Sequence, residues 1–339
     1  MNGRLLLLPT LLALVAAGCH NNRSDKQTAH VVAERYIHKY GYDVSKAEWE
    51  SSHYPGKVIT TMRNGVTITS SYENGLLHGP MTHTYPYSET VQMLQVFEKG
   101  TLVKQVTYSV RGTPVAEQLY LSPSHTKVTK WYPSGSPLSV EEFIDGTLTE
   151  AEYFNARNET EYHITGGSGI RAVRDGNHVV TKEVFEGGEC IRREGYHPNG
   201  TPHVIASFSD GRLHGTKKVY AETGEPLSEE QFIDGELDGT ASYYQNGVKY
   251  LELSYRNGRR DGLERHFIDG NRIAEETSWK GNVRHGPSIA YYDGMTKTDW
   301  FYNNERVSKE KFEDLSRREQ SIAAINEWSH HRDYSESAQ

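Results

Sequence analysis

The sequence predicts an all-β repeat fold: an elongated antiparallel meander of β-hairpins with short N-terminal and C-terminal capping helices. Glycines recur along most of the chain at a fixed period, and aromatic residues recur at matching positions. Of 339 residues, 31 are glycine and 22 are tyrosine, and the mean hydropathy is −0.71. A chain so rich in turn formers and poor in core formers suits a thin sheet better than a thick globule.

The glycine period defines the repeat. A turn glycine recurs every 23 or 24 residues, except for one interval of 65 that is nearly three periods. These glycines are Gly112, Gly135, Gly200, Gly224, Gly247, Gly270 and Gly294. A second glycine, often preceded by Asp, follows eleven residues later, and Asn-Gly and Asp-Gly mark tight hairpin turns. Residues 56–304 are therefore predicted to consist of stacked hairpins.

An aromatic residue follows the first glycine of each repeat, usually by eight positions. In a sheet one layer thick, one side of each strand has no core to enter, and a row of exposed aromatics is typical of a binding surface. The candidate binding surface comprises Tyr120, Phe143, Phe208, Phe232, Tyr255 and Trp279. The alternative is that these rings stack on one another and only stabilise the sheet.

Three segments depart from the repeat. Residues 153–177 lose the aromatic register and contain GGSG, which predicts either a break between two blocks of repeats or a looser hairpin. Because open strand edges invite aggregation, both ends need covers. Helical spacing of apolar residues predicts a helix over 29–41, within an N-terminal cap of 29–55, and another over Ser308–Trp328, within the C-terminal segment 305–339. For the second helix, binding of a partner is the alternative to capping.

The N-terminus predicts secretion. Arg4 precedes an apolar run over residues 5–17, which is shorter than the about 20 residues that a spanning helix needs. Residues 1–18 are therefore predicted to be a signal peptide. The segment AAGC at 16–19 resembles the lipobox of bacterial lipoproteins, which implies that Cys19 is lipidated and becomes the mature N-terminus. That family usually has Leu where Ala16 stands, so ordinary signal cleavage is the alternative.

Residues 19–28 would then form the lipid anchor and a polar tether. The expected location is the cell envelope, either the outer membrane or the periplasmic side of the inner membrane if the cell is Gram-negative. With Cys19 lipidated, Cys190 has no partner in the chain, which excludes a disulfide framework.

Catalytic and metal motifs are missing from the sequence. It contains no HExxH, no zinc-type cysteine pair, no phosphate loop and no G-x-S-x-G elbow. We therefore expect no enzyme activity, no cofactor and no metal site. The net charge of −8 and the lack of a basic run argue against nucleic acid as a partner.

Two recurrent sets of residues look like parts of a metal-binding or catalytic site. Histidines precede a glycine in three repeats, and aspartates hold that position in two others, which favours a turn residue over a metal ladder or a pH sensor. These residues are His78, His214, His285, Asp238 and Asp261. Paired glutamates such as Glu141 and Glu142 point to opposite faces of a strand, so they cannot share a substrate. Their recurrence predicts an acidic stripe along one face.

The repeats resemble the bacterial variant of the MORN repeat. The matching segments include YENGLLHG at 72–79, FSDGRLHG at 208–215 and YQNGVKYLELSYRNGRRDG at 244–262. Bacterial proteins with such repeats are often labelled YwqK-type antitoxins, and eukaryotic MORN repeats serve as protein-interaction platforms and have been linked to membrane lipids. The resemblance covers residues 56–304 and implies a binding surface rather than a reaction.

The expected function is that of a non-catalytic, membrane-anchored repeat scaffold that presents an extended β-sheet to an unidentified protein partner. The alternatives are a lipid or cell-wall glycan contact module and an antitoxin-like toxin-binding protein. Net negative charge argues against docking on anionic lipids, which usually requires Lys and Arg. A secretion signal conflicts with neutralising a cytoplasmic toxin.

Overall fold

The structure is a computed structural model that describes residues 31–336, with side chains described for residues 31–322. The predicted signal peptide, Cys19 and the tether lie outside the described residues. The described chain contains 25 strands and two helices, and the strands form the expected antiparallel hairpin meander. It divides into two units, Met1–Val115 and Ala116–Gln339.

In unit 1, strand β1 pairs with both β2 and β3, and from β3 onward each strand pairs with the next. The elements are β1 (Val31–His38), β2 (Asp43–Val44), α1 (Lys46–Ser52), β3 (Gly56–Met62), β4 (Thr67–Glu73), β5 (Leu76–Thr84), β6 (Val91–Glu98) and β7 (Thr101–Tyr108).

The helix predicted over 29–41 is wrong, because residues 31–38 form strand β1. Strand β1 pairs with β3 along its whole length, so the backbone N–H and C=O groups on that side of β3 are hydrogen-bonded. These hydrogen bonds favour a strand more than the spacing of the side chains favours a helix. The helix forms later, where Ser45 caps α1 by accepting the Glu48 N–H at 3.3 Å. Trp49 of α1 packs against Tyr36 of β1.

Unit 2 continues the meander, with each strand paired to its neighbours in the chain. The elements, of which β8 begins just before the unit boundary, are β8 (Pro114–Ser122), β9 (His125–Trp131), β10 (Pro137–Ile144), β11 (Thr147–Phe154), β12 (Thr160–Thr165), β13 (Ser168–Asp175), β14 (His178–Glu186), β15 (Glu189–Tyr196), β16 (Pro202–Ser209), β17 (Arg212–Tyr220), β18 (Pro226–Ile233), β19 (Glu236–Gln245), β20 (Val248–Arg256), β21 (Arg259–Ile268), β22 (Arg272–Lys280), β23 (Val283–Tyr292), β24 (Met295–Tyr302), β25 (Glu305–Val307) and α2 (Lys309–Glu336).

The sheet of unit 2 has two faces, because side chains alternate along a strand and cross-strand partners share a side. Face 1 is the side that carries Glu141 and Phe143, and face 2 is the side that carries Glu142. The strand register places the candidate aromatics of unit 2 on face 1.

The turns of unit 2 lie along two sides of the sheet, one at each end of its strands. These sides are called the first edge and the other edge, as distinct from the outermost strands. The first edge consists mainly of two-residue turns in which both residues have positive φ, such as Asp210-Gly211 and Asp234-Gly235, the geometry of type I′ hairpin turns. Most of these turns are tied to the hairpin before them: the Gly235 N–H donates to the Leu213 carbonyl and the Gly258 N–H to the Leu237 carbonyl, both at 2.8 Å. The first edge is therefore a stack of linked turns.

A glycine near the first edge lies directly opposite the aromatic of the next strand. Gly215 pairs with Phe232, and Gly262 pairs with Trp279. Gly262 has a φ of +116°, and a Cβ added there would lie 2.8 Å from the Ser254 Cβ. The glycine thus provides the left-handed backbone of a β-bulge and leaves room for Ser254 of the neighbouring strand.

Residues 153–177 form a paired hairpin of β12 and β13, which continues the meander without a gap. Tyr153 and Ile164, each 1% exposed, are the most buried large side chains described, and they pack with Leu148 and Ala172. The GGSG segment supplies a type I′ turn, and its last glycine, Gly169, lies opposite Phe185. Because β12 and β13 pair over two residue pairs and β12 is largely exposed apart from Ile164, the segment is the looser hairpin of the two alternatives and not a break in the sheet.

The predicted C-terminal helix is confirmed as α2. Ser308 caps it by accepting the Lys311 N–H at 3.2 Å. Phe312 packs against Trp300 and Tyr302 of β24, and Glu319 is paired with Lys280 at 2.7 Å. The first turns of α2 thus pack on face 2 of the last strands.

Candidate functional site

The candidate aromatics lie where the sequence predicted, one per hairpin, and each is half-buried. Their recorded ring contacts are with cations rather than with one another. The Arg193 Cζ lies 5.3 Å from the Phe208 ring centroid, and the Lys217 Nζ lies 5.8 Å from the Phe232 centroid. Cation–π contacts therefore cover part of this row, and its role in binding stays a prediction.

A row of charged residues crosses the middle of face 1. Arg171 bridges Glu141 at 2.8 Å and Glu183 at 3.3 Å, and Arg193 bridges Glu183 at 2.8 Å. The Tyr153 hydroxyl donates to Glu141 at 2.8 Å. Glu141 is only 4% exposed. A buried charge is tolerated because each one has a hydrogen-bonded counter-charge.

This network shifts the protonation of its members. Burial opposes ionisation of Glu141, but Arg171 and the Tyr153 hydroxyl outweigh it and hold the pKa of Glu141 below its usual range. Burial and then Glu141 raise the pKa of Tyr153. Burial and then Glu230 likewise raise the pKa of Tyr243 to about 12. At neutral pH this row of charged residues therefore consists of carboxylates paired with arginines, together with protonated tyrosine hydroxyls.

The histidine and aspartate position is a bulge in a strand, not a turn as the sequence predicted. His78 lies in β5, and its Nδ1 accepts the backbone N–H of Lys99 in the next first-edge turn at 3.3 Å. Asp238 accepts the Asn257 N–H at 3.0 Å in the same way. Each residue thus holds the following turn, which explains why either a histidine or a short carboxylate fits.

The paired glutamates do point to opposite faces, but they do not form an acidic stripe. Glu141 on face 1 binds Arg171, whereas Glu142 on face 2 binds Lys127 at 2.7 Å. In a later repeat, Glu230 binds Lys217 on face 1 and Glu229 binds Lys218 on face 2. In these two repeats, cross-strand cations neutralise both members of the pair, whereas Glu275 of a third pair accepts hydrogen bonds from the Thr277 and Ser288 hydroxyls.

Sequence reasoning missed a second aromatic row. The last or second-last residue of several strands is aromatic and lies on face 2 near the other edge of the sheet. The row comprises Tyr196, Tyr220, Tyr244, Phe267 and Tyr291. Its spacing of 23 or 24 residues was visible in the sequence, but the glycine-anchored pattern drew attention to the first row alone.

Face 2 contains a depression of about 430 Å³ between β9 and β12. Its rim carries Lys127, Glu142, Glu150 and His163. Two of these acids already have partners: Glu142 binds Lys127, and Glu150 accepts the Gly166 N–H at 2.8 Å. Within the described residues, no group of three His, Cys, Asp or Glu side chains is placed to hold a metal ion.

Cys190 is a free, half-buried thiol on face 1, opposite Phe185. Burial, followed by the nearby Glu183, raises the pKa of this thiol, which lowers its reactivity. Across the part of the chain that the structure describes, neither helix has the length and apolar character needed to cross a membrane.

Comparisons with known proteins do not assign a family. No protein-family model matches the chain, and no curated protein matches it significantly. Among solved structures, a point mutant of S. aureus TarM in complex with fondaparinux, alpha-GlcNAc-glycerol and UDP is 13% identical, with a TM-score of 0.17 over 40% of this chain and 21% of TarM. BamB from Moraxella catarrhalis is 10% identical, with a TM-score of 0.15 over 73% of this chain and 82% of BamB. The chain thus spans about a fifth of the length of TarM.

Proposed function

We propose that this chain is a non-catalytic repeat scaffold, anchored to a cell-envelope membrane through Cys19, that presents face 1 of unit 2 to a protein partner. The observation that supports the proposal is the composition of face 1, where half-buried aromatics recur once per hairpin beside arginine and lysine. Aromatic and Arg side chains supply most of the binding energy in protein interfaces. The resemblance to MORN repeats, which serve as interaction platforms in eukaryotes, points the same way.

The two cysteines allow a matched test of the anchor. Cells expressing the wild type, Cys19→Ala and Cys190→Ala are separated into membrane and soluble fractions. We expect the wild type and Cys190→Ala in the membrane fraction, and Cys19→Ala released or left unprocessed. A soluble, cytoplasmic wild type would contradict the anchor and return attention to the antitoxin-like alternative.

Neighbouring residues of β17 allow a matched test of the docking face. Lys217 points to face 1 and Lys218 to face 2, so a photo-crosslinking residue at either position samples one side of the same strand. We expect one envelope protein to be crosslinked repeatedly from position 217 and not from position 218. Equal crosslinking from both positions, or none from 217, would count against face 1 as the docking surface.

A further inference from the structure

The residue opposite the face-1 aromatic changes along unit 2. In three earlier hairpins the partner is leucine: Leu148 faces Phe143, Leu213 faces Phe208 and Leu237 faces Phe232. In two others it is also uncharged, because Thr126 faces Tyr120 and Cys190 faces Phe185. In the last three it is arginine: Arg260 faces Tyr255, Arg284 faces Trp279 and Arg306 faces Phe301. Leucine suffices for packing, as the earlier hairpins demonstrate, so arginine at this position requires another explanation.

The three arginines alternate with the rings on one side of the sheet. The Arg260 Cζ lies 5.0 Å from the Trp279 ring centroid, and the Arg284 Cζ lies 4.5 Å from the Phe301 centroid. We name this set the aromatic–arginine ladder: Tyr255, Arg260, Trp279, Arg284, Phe301 and Arg306. The half-buried rings and the more exposed guanidinium groups lie on the same face, so one ligand can contact both.

The charge of the ladder favours an anionic ligand. Arg284 is exposed, and none of the acids described lies within ion-pair distance of it. Arg260 forms an ion pair with Glu264 at 3.2 Å, and Arg306 forms an ion pair with Asp299. Arg284 is therefore the member of the ladder that is most available to an anionic ligand. Guanidinium forks bind carboxylates in a bidentate manner.

The distance between successive rings indicates which kind of anionic polymer fits the ladder. The rings lie on alternate strands, and neighbouring strands are about 4.8 Å apart, so successive rings are separated by roughly 10 Å. Successive bases of a single-stranded nucleic acid stack much closer together than this. A disaccharide of a linear polysaccharide has about the right length, and the C–H face of its sugar ring packs on an aromatic side chain.

We infer that the aromatic–arginine ladder binds a linear anionic polysaccharide with one carboxylate per sugar or disaccharide. The polysaccharide lies along the strip formed by the rings and the guanidinium groups stacked on Trp279 and Phe301, and its carboxylates bind these arginines, Arg284 first. This site shares Tyr255 and Trp279 with the proposed protein-docking face, but its test stands apart from that function, because it involves only the last three hairpins and one ligand class. It predicts binding in which both charge and stacking contribute.

The test uses the full mature chain and polygalacturonate as the probe, with neutral dextran and oligo-dT as comparison ligands. The double variant Arg260→Leu/Arg284→Leu restores the aromatic–leucine pairs of the earlier hairpins, so it should fold. The control, Lys218→Leu/Arg272→Leu, removes two cations outside the ladder. We expect the ladder variant to weaken polygalacturonate binding about tenfold or more, the loss expected for two charge-assisted contacts, and the control to bind as the wild type does.

Intrinsic fluorescence adds a readout at the site. A change on adding polygalacturonate should be present in the wild type and absent in Trp279→Phe. The inference is overturned if the wild type does not bind polygalacturonate, if both double variants lose affinity equally, or if oligo-dT binds as tightly. Thermal unfolding of each variant distinguishes a lost site from a lost fold.

Discussion

At the scale of single residues, the fold depends on glycines that lie opposite aromatic rings. Gly262→Ala would place a Cβ 2.8 Å from the Ser254 Cβ at a φ of +116°. Gly135 has a φ of +89°, but nothing lies within 4 Å of an added Cβ. We expect Gly135→Ala to cost about 1 kcal/mol of unfolding free energy, from backbone strain alone, and Gly262→Ala about 3 kcal/mol, because overpacking is added. Urea unfolding measures both, and equal losses would contradict the account of the bulge.

The charged row makes stability depend on pH. Because the pKa of Glu141 is lowered in the folded state, its ionised form contributes stability at neutral pH that is lost as the pH falls below about 4. We expect Glu141→Gln to lower the unfolding free energy by about 3 kcal/mol at pH 7, since Arg171 loses a buried partner. The stability of this variant should also fall less steeply than that of the wild type when the pH is lowered.

The neighbouring Glu142→Gln is the matched control, because Glu142 is more exposed and its ion pair with Lys127 is worth about 0.5 kcal/mol. Thermal unfolding between pH 3 and pH 7 compares the two variants with the wild type. If both lose the same stability, the network around Glu141 is not the source of the acid sensitivity.

Single residues also mark the limit of sequence reasoning about the candidate site. The aromatic row was predicted because glycine and aromatic recur at a fixed spacing. The role of His78 and Asp238 was not, because the turn that each one holds lies about 20 residues ahead in the chain. The partners of Glu141 come from β11 and β13, so its ion pairs depend on a register that composition does not reveal.

At the scale of elements, the strands and turns followed from local sequence, whereas the N-terminal helix did not. Asn-Gly and Asp-Gly determine their own turn geometry, so the hairpins could be predicted. Residues 31–38 carry both helical and strand patterns, and only the presence of β3 decides between them. The C-terminal helix has no such competing partner strand, and its prediction was confirmed.

Docking of α2 should depend on one side chain. Phe312 contacts Trp300, Tyr302 and His285, whereas Ile322 on the same helix is 59% exposed. We expect Phe312→Ala to destabilise the docked helix by about 2 kcal/mol and to accelerate hydrogen exchange in β24 and β25. Ile322→Ala should leave that exchange unchanged, and faster exchange in both variants would contradict docking through Phe312.

At the scale of the whole molecule, each hairpin of unit 2 depends on its neighbours alone, as expected of a repeat protein. Deleting residues 212–235 removes β17 and β18 and joins the Asp210-Gly211 turn directly to β19. Because the new neighbours keep the same register, we expect a folded chain with a slightly lower melting temperature, measured by circular dichroism.

Deletion of residues 212–224 is the control, because it removes the single strand β17 and its turn. Every later strand then changes direction, its two faces exchange, and glycines no longer lie opposite aromatics. We expect this variant to lose cooperative unfolding. A cooperative transition in the second deletion, or its loss in the first, would show that the hairpin pair is not the unit of the fold.

The linked turns of the first edge also have a mechanical consequence. In the backbone ties the later turn donates its N–H to a carbonyl of the preceding hairpin, and the Asn282 and Asn304 side chains add a return bond by accepting the Arg260 and Arg284 N–H groups. If the C-terminal end of unit 2 were pulled, strands would peel away one at a time, and each hairpin that detached would also have to break its tie to the one before. Unfolding under force would therefore proceed in many small steps, because each tie adds a hydrogen bond that must break before the next hairpin detaches.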